Sequence, residues 1–372
     1  METKHRSSHA PTDPVLRRQA PVIRRRLLHW YDVHQRPLPW RKTRNPYRIW
    51  VSEIMLQQTR VQAVIPYYEK FLRRFPSVQA VASADEEELL AHWSGLGHYS
   101  RARNLQKAAQ VIVKQHQGRF PRDAAEALAL PGIGTYTAAA VLSIAYRVPL
   151  PVVDGNVARV LSRLFALSAD IRSNSGKQSL LQIAGLLLAR RRAGEFNQAL
   201  MELGATICLP RNPKCDLCPL RKNCVAHARN ETANFPITLH KTKPAARRFK
   251  AALILDDGKC LLIRRPAAAQ WMQGFWELPM QEETVQADSR KGRLEADTDP
   301  LSEDGIQMDE LLGNVQHTIT TNQLSVAVYR ATLQRPANPP LERWVPVRRI
   351  HLLPVTTITR KALRWAQTEA DS

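Results

Sequence analysis

The sequence predicts a mainly α-helical domain followed by a smaller α/β domain. Three observations carry this expectation. From Val22 to about Arg229, apolar residues recur at three- and four-residue spacings, as in VSEIMLQQTRVQAVIPYYEKFL, AAEALALPGIGTYTAAAVLSIAY and NVARVLSRLFAL; that is the period of a helix with one buried face. Breaks at Phe75-Pro76, Gly95-Leu96-Gly97, Phe120-Pro121 and from Pro149 to Gly155 cut the stretch into many short helices. Beyond residue 248 the texture changes, and KAALILDDGKCLLIRRP places two apolar runs around Asp257-Gly258, a hairpin signal.

In chain order, residues 1–20 read as a mobile tail and 21–229 as the helical domain. Residues 230–248 (NETANFPITLHKTKPAARR) are polar, basic and Pro-containing, so they read as a linker. The α/β domain is expected over 249–368, with further strands in WELPM, LSVAVYRATL and WVPVRRI and a last helix over Thr359–Ala366. Within it, 281–306 is acidic and without periodicity, which predicts a flexible excursion. No internal repeat is visible.

The 372 residues fit two or three domains. Lys and Arg total 54 against 33 Asp and Glu, a formal charge of +21. Such a balance suits a polyanion, either nucleic acid or an anionic membrane surface, although a merely soluble basic protein has the same signature. No apolar run approaches the ~18 residues of a membrane span. The opening METKHRSSHAPTDPV has no apolar core of a secretory signal. Four of the five cysteines lie between 208 and 224, which points to a metal site in a reducing compartment rather than a disulfide scaffold.

Five motifs carry chemistry. Leu130-Pro131-Gly132-Ile133-Gly134-Thr135 sits between two helical patterns. Gly132 and Gly134 permit a sharp turn and close approach to a phosphate, which the free N–H groups of the next helix can bind; a simple helical corner is the plain alternative. Asp154 follows Gly134 by 20 residues and precedes a helix, and alone it reads as an N-cap. Glu53, in IWVSEIMLQQT, shares a helical face with Ile49, Trp50 and Leu56. Desolvation there raises its pKa and keeps a proton available near neutrality, unless it is a buried glutamate paired to a structural arginine. Cys208-x6-Cys215-x2-Cys218-x5-Cys224 can surround one metal centre. Zinc is the rival, but its sites usually pair two C-x2-C hooks and here there is one. Arg211, Lys214, Arg221 and Lys222 around this loop suit phosphate contacts. Finally, GLGHYSRARNL presents Tyr99 on a glycine turn beside arginines. Such a ring can wedge into a base stack, while the sequence alone favours a core tyrosine.

Residues 36–229 resemble the bacterial adenine DNA glycosylase (MutY) family of the helix-hairpin-helix, endonuclease III-like superfamily. The matching stretches are PWRKTRNPYRIWVSEIMLQQTRV, GLGHYSRARNL, LPGIGTYTAAAV, VVDGNVARVLSRLF and NQALMELGA, ending in the four cysteines. The resemblance implies a [4Fe-4S] cluster on Cys208, Cys215, Cys218 and Cys224. It implies that Glu53 protonates adenine and that Asp154, with Asn156 beside it, stabilises the cationic sugar. Gln57 and Gln58 become the helix end inserted near the lesion, and Tyr99 the wedge. Trp40, Arg41, Leu56 and Glu202 become pocket residues around the flipped base.

Bifunctional relatives place a lysine two residues after the final hairpin glycine, where this chain has Tyr136. Without that amine no Schiff base forms, so the expectation is a monofunctional enzyme in which Tyr136 hydrogen-bonds to Asp154 or packs in the pocket. Residues 249–368 resemble the family's Nudix-like domain that reads 8-oxoguanine, through the strand pattern and GFWELP, without a Nudix hydrolase signature. Ile319-Thr320-Thr321 stands where the family has Phe-Ser-His: Thr320 keeps a hydroxyl, the histidine is missing, and His317 is close in sequence. The implied partner is duplex DNA bearing 8-oxoguanine:A or G:A mispairs. The expected setting is a bacterial, cytoplasmic, nucleoid-associated monomer, and no motif names a protein partner. The alternatives are a bifunctional glycosylase/lyase for oxidised pyrimidines and a non-catalytic mispair-binding protein. Tyr136 and the second domain oppose the first; Glu53 with Asp154 opposes the other.

Overall fold

The computed structural model describes residues 13–238, 245–266, 268, 269, 271–283, 301, 302, 304–319 and 322–367. Among them, positions up to Ser83 and 104–241 form one unit, and Ala84–Arg103 with positions from 242 onward form a second. No described helix is long and apolar enough to cross a membrane.

Helices run through the first part of the chain: α1 (Asp13–His34), α2 (Pro46–Leu56), α3 (Val61–Arg74), α4 (Val78–Ala82), α5 (Glu86–Trp93), α6 (Ser100–Gln115), α7 (Ala124–Leu128) and α8 (Thr135–Tyr146). They continue as α9 (Gly155–Phe165), α10 (Asn174–Leu187), α11 (Ala193–Thr206) and α12 (Val225–Ala228). The expected tail is corrected from Asp13 onward. Leu16, Ala20, Ile23 and Leu27 form one buried stripe in a core with Leu180, Leu187, Phe196 and Leu200. Pro21 inside α1 and the arginines on its outer face obscured that period.

α11 is the central packing element of the first unit, and two glycines let it approach its neighbours. A Cβ on Gly194 would lie 2.6 Å from the Ser143 carbonyl oxygen of α8, and one on Gly204 2.6 Å from the Asn156 Cβ of α9. Asn197, 1% exposed, adds a polar clamp. Its amide donates to Ser143 Oγ and the Leu150 carbonyl, both at 2.9 Å, and its oxygen accepts from the Val152 N–H at 3.3 Å. The segment leading to Asp154 is thereby tied to α8 and α11.

The expected linker is also corrected at both ends. Arg163 donates to the carbonyls of Thr232 (2.9 Å) and Phe235 (3.1 Å), and Ile171 N–H to that of Ile237 (3.2 Å). The first residues after 230 are therefore bound to the helical unit. Ala245 already opens a strand.

The strands are β1 (Ala245–Asp256), β2 (Lys259–Arg264), β3 (Trp276–Glu277), β4 (Met280–Glu282), β5 (Ile306–Ile319), β6 (Asn322–Leu333) and β7 (Glu342–Pro346). They form a sheet of order β3-β2-β1-β6-β5, with β4 pairing β1 and β7 pairing β2. β1 and β6 are parallel, and the other pairs are antiparallel. The Asp257-Gly258 hairpin forms as expected, with φ of 44° and 67°, the double left-handed turn that matches strand twist. Gln281, Glu282 and Ile306, assigned to a flexible excursion, are strand residues, whereas 284–300 lie outside the described residues. β5 escaped the sequence reading because register shifts at Met308, Leu311 and Gly313 interrupt its alternation. The run WVPVRRI is strand only to Pro346, then a 3-10 turn. The last helix divides into α13 (Thr357–Ala362) and α14 (Arg364–Gln367).

The helical domain expected over 21–229 gives up Ala84–Arg103 to the second unit. Trp276 Nε1 donates to Glu87 at 3.3 Å, Arg360 donates to Ser94 Oγ at 2.8 Å, and the Tyr99 ring lies 4.0 Å from that of Phe275.

Gly194→Ala is expected to lower stability by about 1–3 kcal/mol through overpacking, read by chemical denaturation. Gly204→Ala is expected to cost similar stability and, in addition, to slow the chemistry of the site that α9 carries. Unchanged denaturation midpoints in both variants would contradict this packing.

Candidate active site

An open cavity of about 780 Å³ is lined by residues from η1 (Pro39–Arg41, a 3-10 turn), α2 and its following turn, α8, α9 and α11. Its size suits a nucleobase with its sugar. Glu53, Asp154, Tyr136, Asn156, Trp40, Arg41, Leu56, Gln57, Gln58 and Glu202, separated by up to 162 residues, all line it.

Glu53 occupies the inward face of α2, a helix begun by the Asn45 side chain capping Arg48 N–H and by Pro46. Its residue is 5% exposed. Burial pushes the carboxyl up to about 7, outweighing the Tyr136 hydroxyl that donates to Oε2 at 2.5 Å; the neighbouring Asp154 adds to the rise and Arg41 opposes it. The Tyr136 hydroxyl is itself held well above its ordinary value by burial and by the Glu53 and Asp154 charges. Tyr136 therefore bonds to Glu53, whereas the sequence pointed to Asp154 or to simple packing.

Asp154 is the N-cap of α9. Its Oδ1 accepts from Val157 N–H at 2.7 Å, and its Oδ2 accepts from Asn156 Nδ2 at 3.1 Å. The capping role and the cavity position thus coexist in one side chain. Burial raises its pKa, against these hydrogen bonds and the Arg159 charge.

Glu202 shows the opposite outcome. It is 1% exposed. Arg36 holds it through Nε and Nη2, both at 2.7 Å, and Arg41 Nη2 adds a bond at 2.8 Å. Burial raises its pKa, but the two guanidinium groups win and bring it to about 2. Arg41 is thereby fixed over the Tyr31 ring, 5.4 Å away. Trp40, 6% exposed, meets Tyr68 edge-on at 5.4 Å. Gln57 donates to Thr137 Oγ1 of α8 at 3.2 Å, and Gln58 stands exposed at φ 57°.

Some cavity residues lie in the quoted stretches but were not singled out by the sequence. Gln198 and Met201 line the wall from α11. Arg159 donates to Asn156 Oδ1 (2.8 Å), the Gly204 carbonyl (2.9 Å) and the Cys208 carbonyl (2.8 Å). It links the Asp154 end of α9 to the cysteine loop. No lysine lines the cavity among the described residues.

The hairpin forms between α7 and α8. Gly132 has φ 72°, and a Cβ there would lie 2.5 Å from that of Asn104. Gly134 caps α8 with nothing within 4 Å of its Cβ direction, so the first turn of that helix is open to a phosphate. Tyr99, expected as the wedge, is 6% exposed and packed in the second unit. Thr320 lies outside the described residues.

Cys208, Cys215, Cys218 and Cys224 are unpaired thiols that line one small cavity of about 30 Å³ with Arg163 and His227. Burial pushes the Cys218 thiol up to about 12 and raises those of Cys215 and Cys224. Thiolates there need a compensating cation. Four thiols lining one cavity are a donor set for a metal centre. Arg163, 2% exposed, braces the loop through the carbonyls of Leu209 (2.6 Å) and Pro210 (2.9 Å).

Residues 51–183 match the HhH-GPD superfamily of base excision DNA repair proteins, and 250–365 match the NUDIX domain. The chain is 35% identical over 410 residues to the adenine DNA glycosylase of Homo sapiens, covering 93% of this chain and 74% of that protein. The chain belongs to the adenine DNA glycosylase family. The adenine DNA glycosylase of Buchnera aphidicola subsp. Schizaphis graminum is 38% identical over 221 residues, covering 59% of this chain and 64% of that protein. Among solved structures, a thermostable thymine-DNA glycosylase superposes with a TM-score of 0.53 at 32% identity, covering 57% of this chain and 98% of that one. The helical region is thus the glycosylase part of an adenine DNA glycosylase, and the sheet is its Nudix-like part.

The Glu53 value has a direct consequence for pH. A group needed in its protonated form is lost as pH rises through about 7. Excision measured in single turnover is therefore expected to fall about tenfold per pH unit above that point. Tyr136→Phe removes a donor to the charged form, so the falling limb is expected to move to higher pH. A limb that stays in place or moves down would separate Tyr136 from this proton.

Proposed function

We propose that the protein is a monofunctional DNA glycosylase of base excision repair that removes adenine mispaired with 8-oxoguanine or guanine. The carrying observation is the cavity that holds Glu53, with a carboxyl near 7, together with the capped Asp154 and no lysine among its described lining. Adenine is a poor leaving group until a ring nitrogen is protonated. Glu53 supplies that proton as the bond breaks. Asp154 faces the oxocarbenium-like sugar and stabilises its charge until water attacks. Asn156 keeps one carboxylate oxygen aimed while the helix N-terminus holds the other.

DNA is held first by phosphate contacts: the hairpin glycines, the open start of α8 and the exposed Arg211, Lys214 and Lys222 of the cysteine loop. Arg221 is partly offset by Asp216 at 2.9 Å. Gln58 at the cavity mouth and Tyr99 open the stack, at an unstacking cost of a few kcal/mol. We assign Cys208, Cys215, Cys218 and Cys224 to a [4Fe-4S] cluster, whose irons would supply the charge that these buried thiolates need and so order the loop. The setting that suits these features is a bacterial cytoplasm, with the chain working as a monomer on the nucleoid.

Opposite-base reading falls to the Nudix-like part. His317 shares its strand face with the buried Val315, and burial and Lys361 lower its pKa. It packs against the core side and does not replace the missing histidine of the turn. 8-Oxoguanine:A is accordingly preferred over G:A, with reduced discrimination.

Duplexes carrying 8-oxoguanine:A, G:A or thymine glycol test this reading. Adenine loss that requires alkali for strand scission is expected on the first two, with none on thymine glycol. Alkali-independent scission, or an adduct trapped by borohydride, would overturn monofunctional action. Asp154→Asn keeps the cap acceptor, and Glu53→Gln keeps the shape; each is expected to lower excision by about 10²–10⁴-fold. The purified protein is expected to carry iron and sulfide with visible absorbance that Cys218→Ser diminishes. Zinc with no colour would instead favour the single-ion reading.

A further inference from the structure

Tyr99 occupies a position that its role in stack opening does not explain. Its ring is 6% exposed and lies 4.0 Å from the Phe275 ring at an interplanar angle of 42°. A ring in that place cannot also stand between two base pairs.

The backbone around Tyr99 is fixed. Gly95, Gly97 and His98 have φ of 109°, 70° and 48°. Arg101 Nη2 donates to the carbonyls of Leu96 (3.0 Å) and Gly97 (2.9 Å), and its guanidinium sits 5.6 Å from the Trp93 ring. The turn is thus clamped, and the Gly95 N–H donates to the Tyr99 hydroxyl at 3.4 Å, so release of the ring requires a side-chain rotation that also gives up this bond. Phe275 is equally fixed: it is fully buried, its N–H donates to Met272 O at 3.1 Å, and its carbonyl accepts from Arg265 N–H at 2.8 Å. Arg103 ties this loop to the start of α6 by donating to the Gln273 carbonyl. Phe275 therefore forms a fixed shelf beneath the Tyr99 ring.

We infer that Phe275 is a positioning residue that stores the Tyr99 ring and sets the cost of releasing it into DNA. Release forfeits the aromatic contact and uncovers Phe275. A matched, well-stacked duplex does not repay that cost, whereas a distorted mispair accepts the ring. The second unit thereby acts on stack opening as well as on the opposite base. This inference rests on the proposed reading of Tyr99 as the intruding residue.

The test uses the full chain and duplexes with 2-aminopurine beside the target position, either matched A:T or 8-oxoguanine:A. Fluorescence at saturating protein reads the unstacked population. Phe275→Ala is expected to raise that population on the matched duplex by roughly 2- to 10-fold, the weight of one aromatic pair. Phe275→Leu keeps apolar contact without the ring and is expected to give an intermediate rise, and it stands in should the alanine variant fail to fold. The rise must vanish in Tyr99→Ala/Phe275→Ala. A rise that persists there, or matched-duplex signals equal to wild type in folded Phe275→Ala and Phe275→Leu, would overturn the storage role while leaving the wedge intact. If Tyr99→Ala alone leaves the mispair signal unchanged, the wedge reading itself falls and the inference with it.

Discussion

Two buried carboxylates share the wall of one open cavity, and their desolvation does not allow both to ionise cheaply. The site resolves this through unequal solvation. Asp154 receives a backbone N–H at the start of α9 and the Asn156 amide. Glu53 receives the Tyr136 hydroxyl, in a place where burial dominates. A carboxyl that keeps its proton beside one better supplied for charge is the pairing that acid-assisted departure of a base requires. Glu202 sharpens the contrast. It is also buried, but two guanidinium groups hold it ionised. Three acidic groups around one cavity thus take different states according to the donors that reach each.

Those states depend on α11. It carries Glu202 and Met201, and through Gly194 and Gly204 it approaches the helices that carry Tyr136 and Asp154. Asn197 closes the polar gap between them. Arg159 and Arg163 extend the same support to the cysteine loop, one from the Asn156 side and one from beneath. The loop is therefore braced by the helix that Asp154 caps, so the four cysteines and the cavity share one support.

The second unit has a different logic. β1 is central, so both of its faces are buried: Ala251 and Leu253 on one side, Ala252 and Ile254 on the other. The sheet is a scaffold that holds, through α5 and Phe275, the Tyr99 turn. Ala84–Arg103 joins this unit because Glu87, Ser94 and Tyr99 find their partners there. A segment that lies within the helical domain in sequence thereby belongs to the Nudix-like unit in structure.

The sequence by itself determined the local features: helical period, the LPGIG turn, the Asp257-Gly258 hairpin, the cysteine spacing and the apolar face around Glu53. Each is set by neighbours within a few residues, so the chain displays it directly. Tyr136 in place of a lysine was legible only through the family resemblance that marks that position. Only the tertiary structure decided which groups meet. Tyr136 finds Glu53 across 83 residues, Arg36 finds Glu202 across 166, and Asn197 reaches the approach to Asp154 across 45. It also decided that Leu16 and Ala20 extend a helix, that the bulged β5 is a strand, and that Tyr99 rests on Phe275. The reason is common to all. A pKa, a buried polar bond or a stacked ring depends on what fills the space around a group, and that is fixed by packing between distant segments.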